Sequence, residues 1–122
     1  MKKNAYNALY YNAKHNTVTN VQIDKEHEYD YLCELLQCVE IDMLHHVEGF
    51  SIIIDGLGFF KQETLISKLN GVEQPIPGNI LIAGPLNEED TLESLDSDIT
   101  ADYVKTLITP YAKIIPNSVE VK

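Results

Sequence analysis

At 122 residues the chain has the length of one domain, and 44% hydrophobic with 23% charged residues is the balance of a globular fold, not of a disordered one. Nineteen carboxylates stand against nine lysines and no arginine, for a net charge of −10. That excludes a direct nucleic-acid binder, which needs a basic face to displace counterions, and it removes the planar guanidinium fork on which many phosphate and carboxylate sites rely. The longest apolar runs, Ser51 to Phe60 and Ile80 to Leu86, are interrupted by Asp55 or by Gly84-Pro85 and fall short of the roughly 18 residues of a membrane span. Met1-Lys2-Lys3 is followed by polar Asn4-Ala5-Tyr6-Asn7 where a signal peptide would place its apolar core. Cys33 and Cys38 are five residues apart, some 140° around a continuous helix, and cannot bridge within one. These features predict a cytoplasmic protein with reduced thiols.

In chain order, Tyr6 to Tyr11 and β-branched Thr17 to Ile23, separated by turn-rich Asn12 to Asn16, predict a first hairpin. Asp24 then caps a helix whose apolar stripe is Tyr29, Leu32, Cys33, Leu35 and Leu36, ending at Gln37. From Val39 to Val47 apolar and polar residues alternate, the pattern of a half-buried strand, with His45 inward and His46 on the polar face. Gly49 turns the chain into a second strand, Phe50 to Ile54, antiparallel to the first. Leu65, Ile66 and Leu69 suggest a short helical turn closed by Asn70-Gly71. Gln74 to Gly78 reads as an ordered loop and Asn79 to Gly84 as a fully buried strand. Thr100 is an N-cap, with Ile99 positioned to staple against Val104. The last helix carries Val104, Leu107, Ile108 and Tyr111 and ends or kinks before Pro110, and a final strand through Val119 and Val121 closes the chain. The sum is a single α+β domain over 1–122, largely antiparallel, with two main helices in the order β-β-α-β-β-β-α.

Four short patterns occur within that order: Leu35-Leu36-Gln37-Cys38-Val39-Glu40-Ile41, Ile54-Asp55-Gly56-Leu57-Gly58, Pro77-Gly78-Asn79-Ile80-Leu81-Ile82-Ala83-Gly84 and Glu93-Ser94-Leu95. In these the chain resembles the small phage and mobile-element proteins grouped as domain of unknown function 3846. It departs from them between Phe59 and Pro75, where that family has a shorter link. The resemblance implies an α+β fold and a phage or mobile-element setting, and supplies no catalytic residues.

The patterns that could carry chemistry have plainer explanations. Adjacent strand residues point to opposite faces, so His45 and His46 cannot share one ion, and Glu40, Asp42 and Glu48 read as a solvated strand face. Asp96, Asp98, Thr100 and Asp102 follow calcium-loop spacing, but Ala101 and Leu107 stand where glycine and glutamate are required. No structural metal and no cofactor are expected. Asp55-Gly56-Leu57-Gly58 lacks the third glycine and the parallel βαβ unit of a dinucleotide site, and predicts a tight turn with a G1-type bulge. Cys33 beside the apolar stripe reads as buried and inert, and no serine lies in a nucleophile elbow, so an enzyme is the minority reading.

Two acidic stretches stand above background: Asp24 to Glu48 with eight carboxylates and Lys25, and Glu88 to Asp102 with seven carboxylates and no lysine. They support solubility, or docking on a basic protein through Glu88, Glu89, Asp90, Glu93, Asp96 and Asp98, with tyrosines such as Tyr6, Tyr10 and Tyr11 as anchors. The expected function is therefore protein binding, to a host or phage protein, without nucleic acid or membrane and with a homodimer as an option. The alternatives are a small-molecule pocket near the loop of Pro75, Pro77, Gly78 and Asn79, and a hydrolase.

Overall fold

The computed structural model describes residues 5–58 and 64–114. Two antiparallel sheets and two short helices build a small α+β domain. Strands β1 (Ala5–Asn12) and β2 (Thr17–Asp24) form the expected hairpin, in register from Ala5 opposite Asp24 to Asn12 opposite Thr17. The Asp24 side chain accepts from the Glu26 N–H and caps a single 3-10 turn, Lys25–His27, which leads into helix α1 (Glu28–Leu36). Strands β3 (Ile41–His45) and β4 (Ser51–Asp55) pair antiparallel, as their alternation predicts. After them come β5 (Thr64–Leu69), β6 (Ile76–Pro77), β7 (Ile80–Ala83), α2 (Ala101–Leu107) and β8 (Ile108–Ile114).

The larger sheet has the order β2-β1-β7-β4-β3, so the buried strand β7 lies at its centre between two hairpins. Its alternation divides the core in two. Tyr6, Ala8, Ile53, Leu81 and Ala83 face α1 through Leu32 and Leu36. Leu9, Tyr11, Ile52, Ile54, Ile80 and Ile82 point the other way, onto Leu69 and Ile76 of the smaller β6-β5-β8 sheet and Val104 of α2. Both faces of the central strands are covered, which is why β4 and β7 read as continuous apolar runs.

Several expectations need correction. Leu65 to Leu69 is a strand, not a helical turn, so the order is β-β-α-β-β-β-β-β-α-β. A register shift against β8 between Ile66 and Ser67 flips the phase of β5: Thr64 and Ile66 are buried, then Ser67 and Leu69. The flip erases period-2 alternation and leaves a spacing that imitates a helix. Pro110 does exclude the helix, which stops at Leu107. The chain continues as β8, with Pro110 opposite Ser67 at the irregularity, on an edge strand that tolerates the missing N–H. Tyr111 accordingly leaves the apolar stripe, is exposed, and lies under the Lys68 ammonium at 4.4 Å.

The strand expected over Val39 to Val47 is shorter at both ends, and Val39 and Val47 are 79% and 81% exposed. The two histidines exchange roles: His45 is exposed and His46 is buried. β3 ends at His45, opposite Ser51, and the turn beyond it rotates His46 inward. Its ring stacks on Phe50 at 4.1 Å, Nδ1 accepts from the Glu48 N–H at 3.0 Å, and Nε2–H donates to the Asn70 carbonyl at 2.5 Å. Gly56 and Gly58 are not among the left-handed residues, so the turn after β4 carries no G1-type bulge. It is closed instead by Asp55 Oδ1, which accepts from the Leu57 N–H. The final strand expected through Val119 and Val121 lies outside the described residues.

Candidate binding cleft

The two sheets separate beside the C-terminal end of α1 and leave a cleft of about 370 Å³. Lys14 reaches it from the β1–β2 turn, Lys113 from β8, Asp55 from the end of β4, Thr64 from β5, and Gly78 and Asn79 from the β6–β7 turn. Only the packing of one sheet on the other brings these segments together. Leu36, Leu65 and Ala13 add apolar wall.

Asn79 organises the floor. Its Oδ1 accepts from the Ala13 N–H at 2.9 Å, and its Nδ2 donates to the Tyr10 hydroxyl at 2.9 Å and to the Leu35 carbonyl at 3.1 Å. The Tyr10 hydroxyl in turn donates to Leu35 O at 2.8 Å, and burial raises its pKa. One amide thus ties the first hairpin, the end of α1 and the central strand. Thr64 Oγ1 donates to Gly58 O, and Gly58 packs so tightly on Pro77 that a side chain there would collide with the proline ring. Gly78 adopts φ of +75°, the left-handed conformation that turns β6 into β7.

Of the loop singled out in the sequence, Gly78 and Asn79 line the cleft, Pro77 is buried behind it in β6, and Pro75 is exposed outside it. Lys14 and Lys113 carry no sequence signal, since 99 positions separate them and neither belongs to a motif, and Asp55 stands out in the sequence only as part of a turn.

The acidic residues are elsewhere. Glu88, Glu89, Asp90, Glu93, Asp96 and Asp98 are all exposed along the 84–100 connection. That connection is pinned to the sheet by Gly84 N–H to Glu93 O at 2.9 Å and Leu95 N–H to Asn7 O at 2.9 Å. Asn87 Oδ1 gathers the N–H groups of Glu89 and Thr91. The calcium-like stretch is used locally: Asp96 Oδ1 accepts from Asp98 N–H, and Thr100 caps α2 through the Tyr103 N–H. Ile99 and Val104, before and inside that helix, enter the same core. Tyr6, proposed as an anchor, is buried and its hydroxyl donates to Glu28 at 2.6 Å, and Tyr11 is buried as well. Among the described residues no three His, Cys, Asp or Glu side chains are placed to hold a metal ion, and no helix is long and apolar enough to cross a membrane.

The architecture defines a small α+β domain of two stacked antiparallel sheets with a cleft between them at the α1 end. No family model matches the chain, and no curated protein and no solved structure matches it.

Proposed function

We propose that this protein is a binding module that takes a small molecule with an anionic group into the cleft between its two sheets. The observation that supports it most is the meeting of Lys14 and Lys113, two of nine lysines in a chain of net charge −10, over a floor held by Asn79. An anion is repelled by most of this surface, whereas the cleft lining sets two lysines against one carboxylate, Asp55, beside apolar wall that can cover the rest of a ligand. Asn79, Thr64 and Asp55 are engaged in hydrogen bonds that hold the fold, which favours binding over catalysis. A thermal-shift panel of carboxylates and phosphates, including citrate and inorganic phosphate, tests the reading on the parent and on Lys14→Gln/Lys113→Gln. A ligand at about 100 times its dissociation constant stabilises the parent by about 2.7 kcal/mol, a shift of several degrees, and the double variant loses it. A panel without any shift, or a shift the double variant retains, contradicts the reading.

A second reading rests on the 84–100 connection, whose six exposed carboxylates are fixed to the sheet and present an ordered charged ribbon to a basic protein. Glu88→Gln/Glu89→Gln/Asp90→Asn should slow association with such a partner at low salt and leave thermal stability unchanged. Equal association rates for parent and variant would leave the ribbon as a solubility device. A cytoplasmic phage or mobile-element setting belongs to the proposal in either form, and the neighbouring genes test it.

A further inference from the structure

We infer that Cys33 and Cys38 are a reversible oxidation site, in which a small-molecule disulfide of the glutathione class converts the two thiols into an intramolecular disulfide. The inference is independent of what the cleft binds. On a continuous helix the two side chains would diverge, but the helix stops at Leu36 and Gln37 takes the left-handed conformation, φ 54° and ψ 52°. The chain then folds back. The Cys38 N–H bonds the Cys33 carbonyl at 3.0 Å and the Gln37 N–H bonds the Glu34 carbonyl at 3.3 Å. These two bonds are the paired signature of a Schellman cap, in which the residue after the left-handed one lies over the residue five before it and their side chains touch. Ordinarily that contact is between hydrophobic residues. Here both positions are cysteine, and a backbone hydrogen bond between the two residues brings their Cα atoms near the separation of about 4.4–6.8 Å that a disulfide spans.

Both thiols are free and half-buried, and both open on a second cleft of about 530 Å³ with Val39, Asp55 and Leu57, large enough for a tripeptide thiol to approach. Tyr29, one turn before Cys33, donates its hydroxyl to Val39 O at 2.8 Å and holds the returning chain against the helix. Burial, then the neighbouring Cys33 and Asp55, push the Cys38 thiol up to about 11, which leaves Cys38 for the second attack.

The chemistry is two successive thiol–disulfide exchanges. The Cys33 thiolate attacks one sulfur of oxidised glutathione, forming a mixed disulfide and releasing one glutathione thiolate, which takes up a proton. Cys38 then gives up its proton and attacks the Cys33 sulfur, forming the Cys33–Cys38 bond and expelling the second glutathione. Two protein thiols lose two electrons and two protons, and one glutathione disulfide becomes two glutathione thiols. The bond fixes the cap around Gln37, which lines both clefts.

The test equilibrates the full chain with reduced and oxidised glutathione at graded ratios, natively and in concentrated urea, quenches by alkylation and measures intact mass. The pair's effective concentration should be about tenfold higher in the native protein than in urea, because the cap holds together thiols that the unfolded chain lets separate. The native protein should lose both alkylatable thiols without gaining mass from glutathione, whereas Cys33→Ser and Cys38→Ser should each stop at one glutathione adduct. A native effective concentration equal to or below that in urea would overturn the inference. So would persistent adducts on the parent or covalent dimers in place of the internal bond.

Discussion

Asn79 offers the sharpest test of how the cleft is held. The residue is buried, and its amide makes three hydrogen bonds, to Ala13, Tyr10 and Leu35. Replacing it with alanine leaves the Ala13 N–H without its acceptor and removes a donor from both Leu35 O and the Tyr10 hydroxyl. At about 1 kcal/mol net for each bond the ceiling is about 3 kcal/mol. Leu35 O retains the Tyr10 hydroxyl as donor, and water from the cleft can reach the vacated space, so the expected loss is about 2 kcal/mol. Asn79→Asp is the stricter probe. It keeps the acceptor for Ala13 but sets a carboxylate oxygen against the Leu35 carbonyl, and should cost at least as much as alanine despite its near-identical shape. Urea unfolding measures both, with the midpoint falling and the slope unchanged. A loss under about 0.5 kcal/mol for both variants would refute the argument, because a surface amide would behave that way. Tyr10→Phe in a double-mutant cycle with Asn79→Ala should show positive coupling, since the two side chains share Leu35 O.

Three further outcomes follow from other parts of the fold. Ser51 Oγ is fully buried with no hydrogen-bond partner among the described residues, so Ser51→Ala should raise stability by about 1 kcal/mol, and a loss of that size in urea unfolding would reveal a partner. Gly71 has φ of +98°, and a methyl group there would fall inside the His46 ring; Gly71→Ala should cost about 2–4 kcal/mol, and a cost below about 1 kcal/mol would mean the turn relaxes freely. Burial, then the hydrogen bond to Glu28 and its charge, raise the Tyr6 pKa well above its ordinary 10.0. The folded protein therefore keeps a proton that the unfolded chain releases, and this contribution is complete below pH 10 and is lost as pH rises beyond it. Stability measured from pH 9 upward should fall more steeply for the parent than for Tyr6→Phe, and parallel curves would contradict the assignment.

The sequence is most legible where side-chain alternation survives intact. The β1–β2 hairpin, the β3–β4 pair, buried β7 and the Thr100 cap all follow from period-2 patterning, β-branched composition or capping chemistry. It misleads where a local irregularity changes phase. The register shift in β5 makes a strand look helical, and the turn after His45 sends His46 into the core with Phe50. The Cys33–Cys38 approach is hidden because Gln37 occupies the left-handed position that glycine usually marks. The loop at Gly78 and Asn79 is visible as ordered chain, but the lysines that face it are not, because they meet only after the two sheets stack. Tyr6 and Tyr11 show the limit of counting aromatics: with both faces of the sheet covered, both tyrosines are core residues.

Backbone amide shifts of the isotope-labelled protein, recorded while the most stabilising carboxylate or phosphate of the panel is added, locate the ligand directly. Binding in the cleft moves the amides of Ala13, Lys14, Gly78 and Asn79 together, saturates at one dissociation constant, and leaves Glu88 to Asp98 unmoved. Shifts confined to the acidic 84–100 connection, or no saturable shift at Ala13 and Gly78, would contradict a ligand site between the sheets.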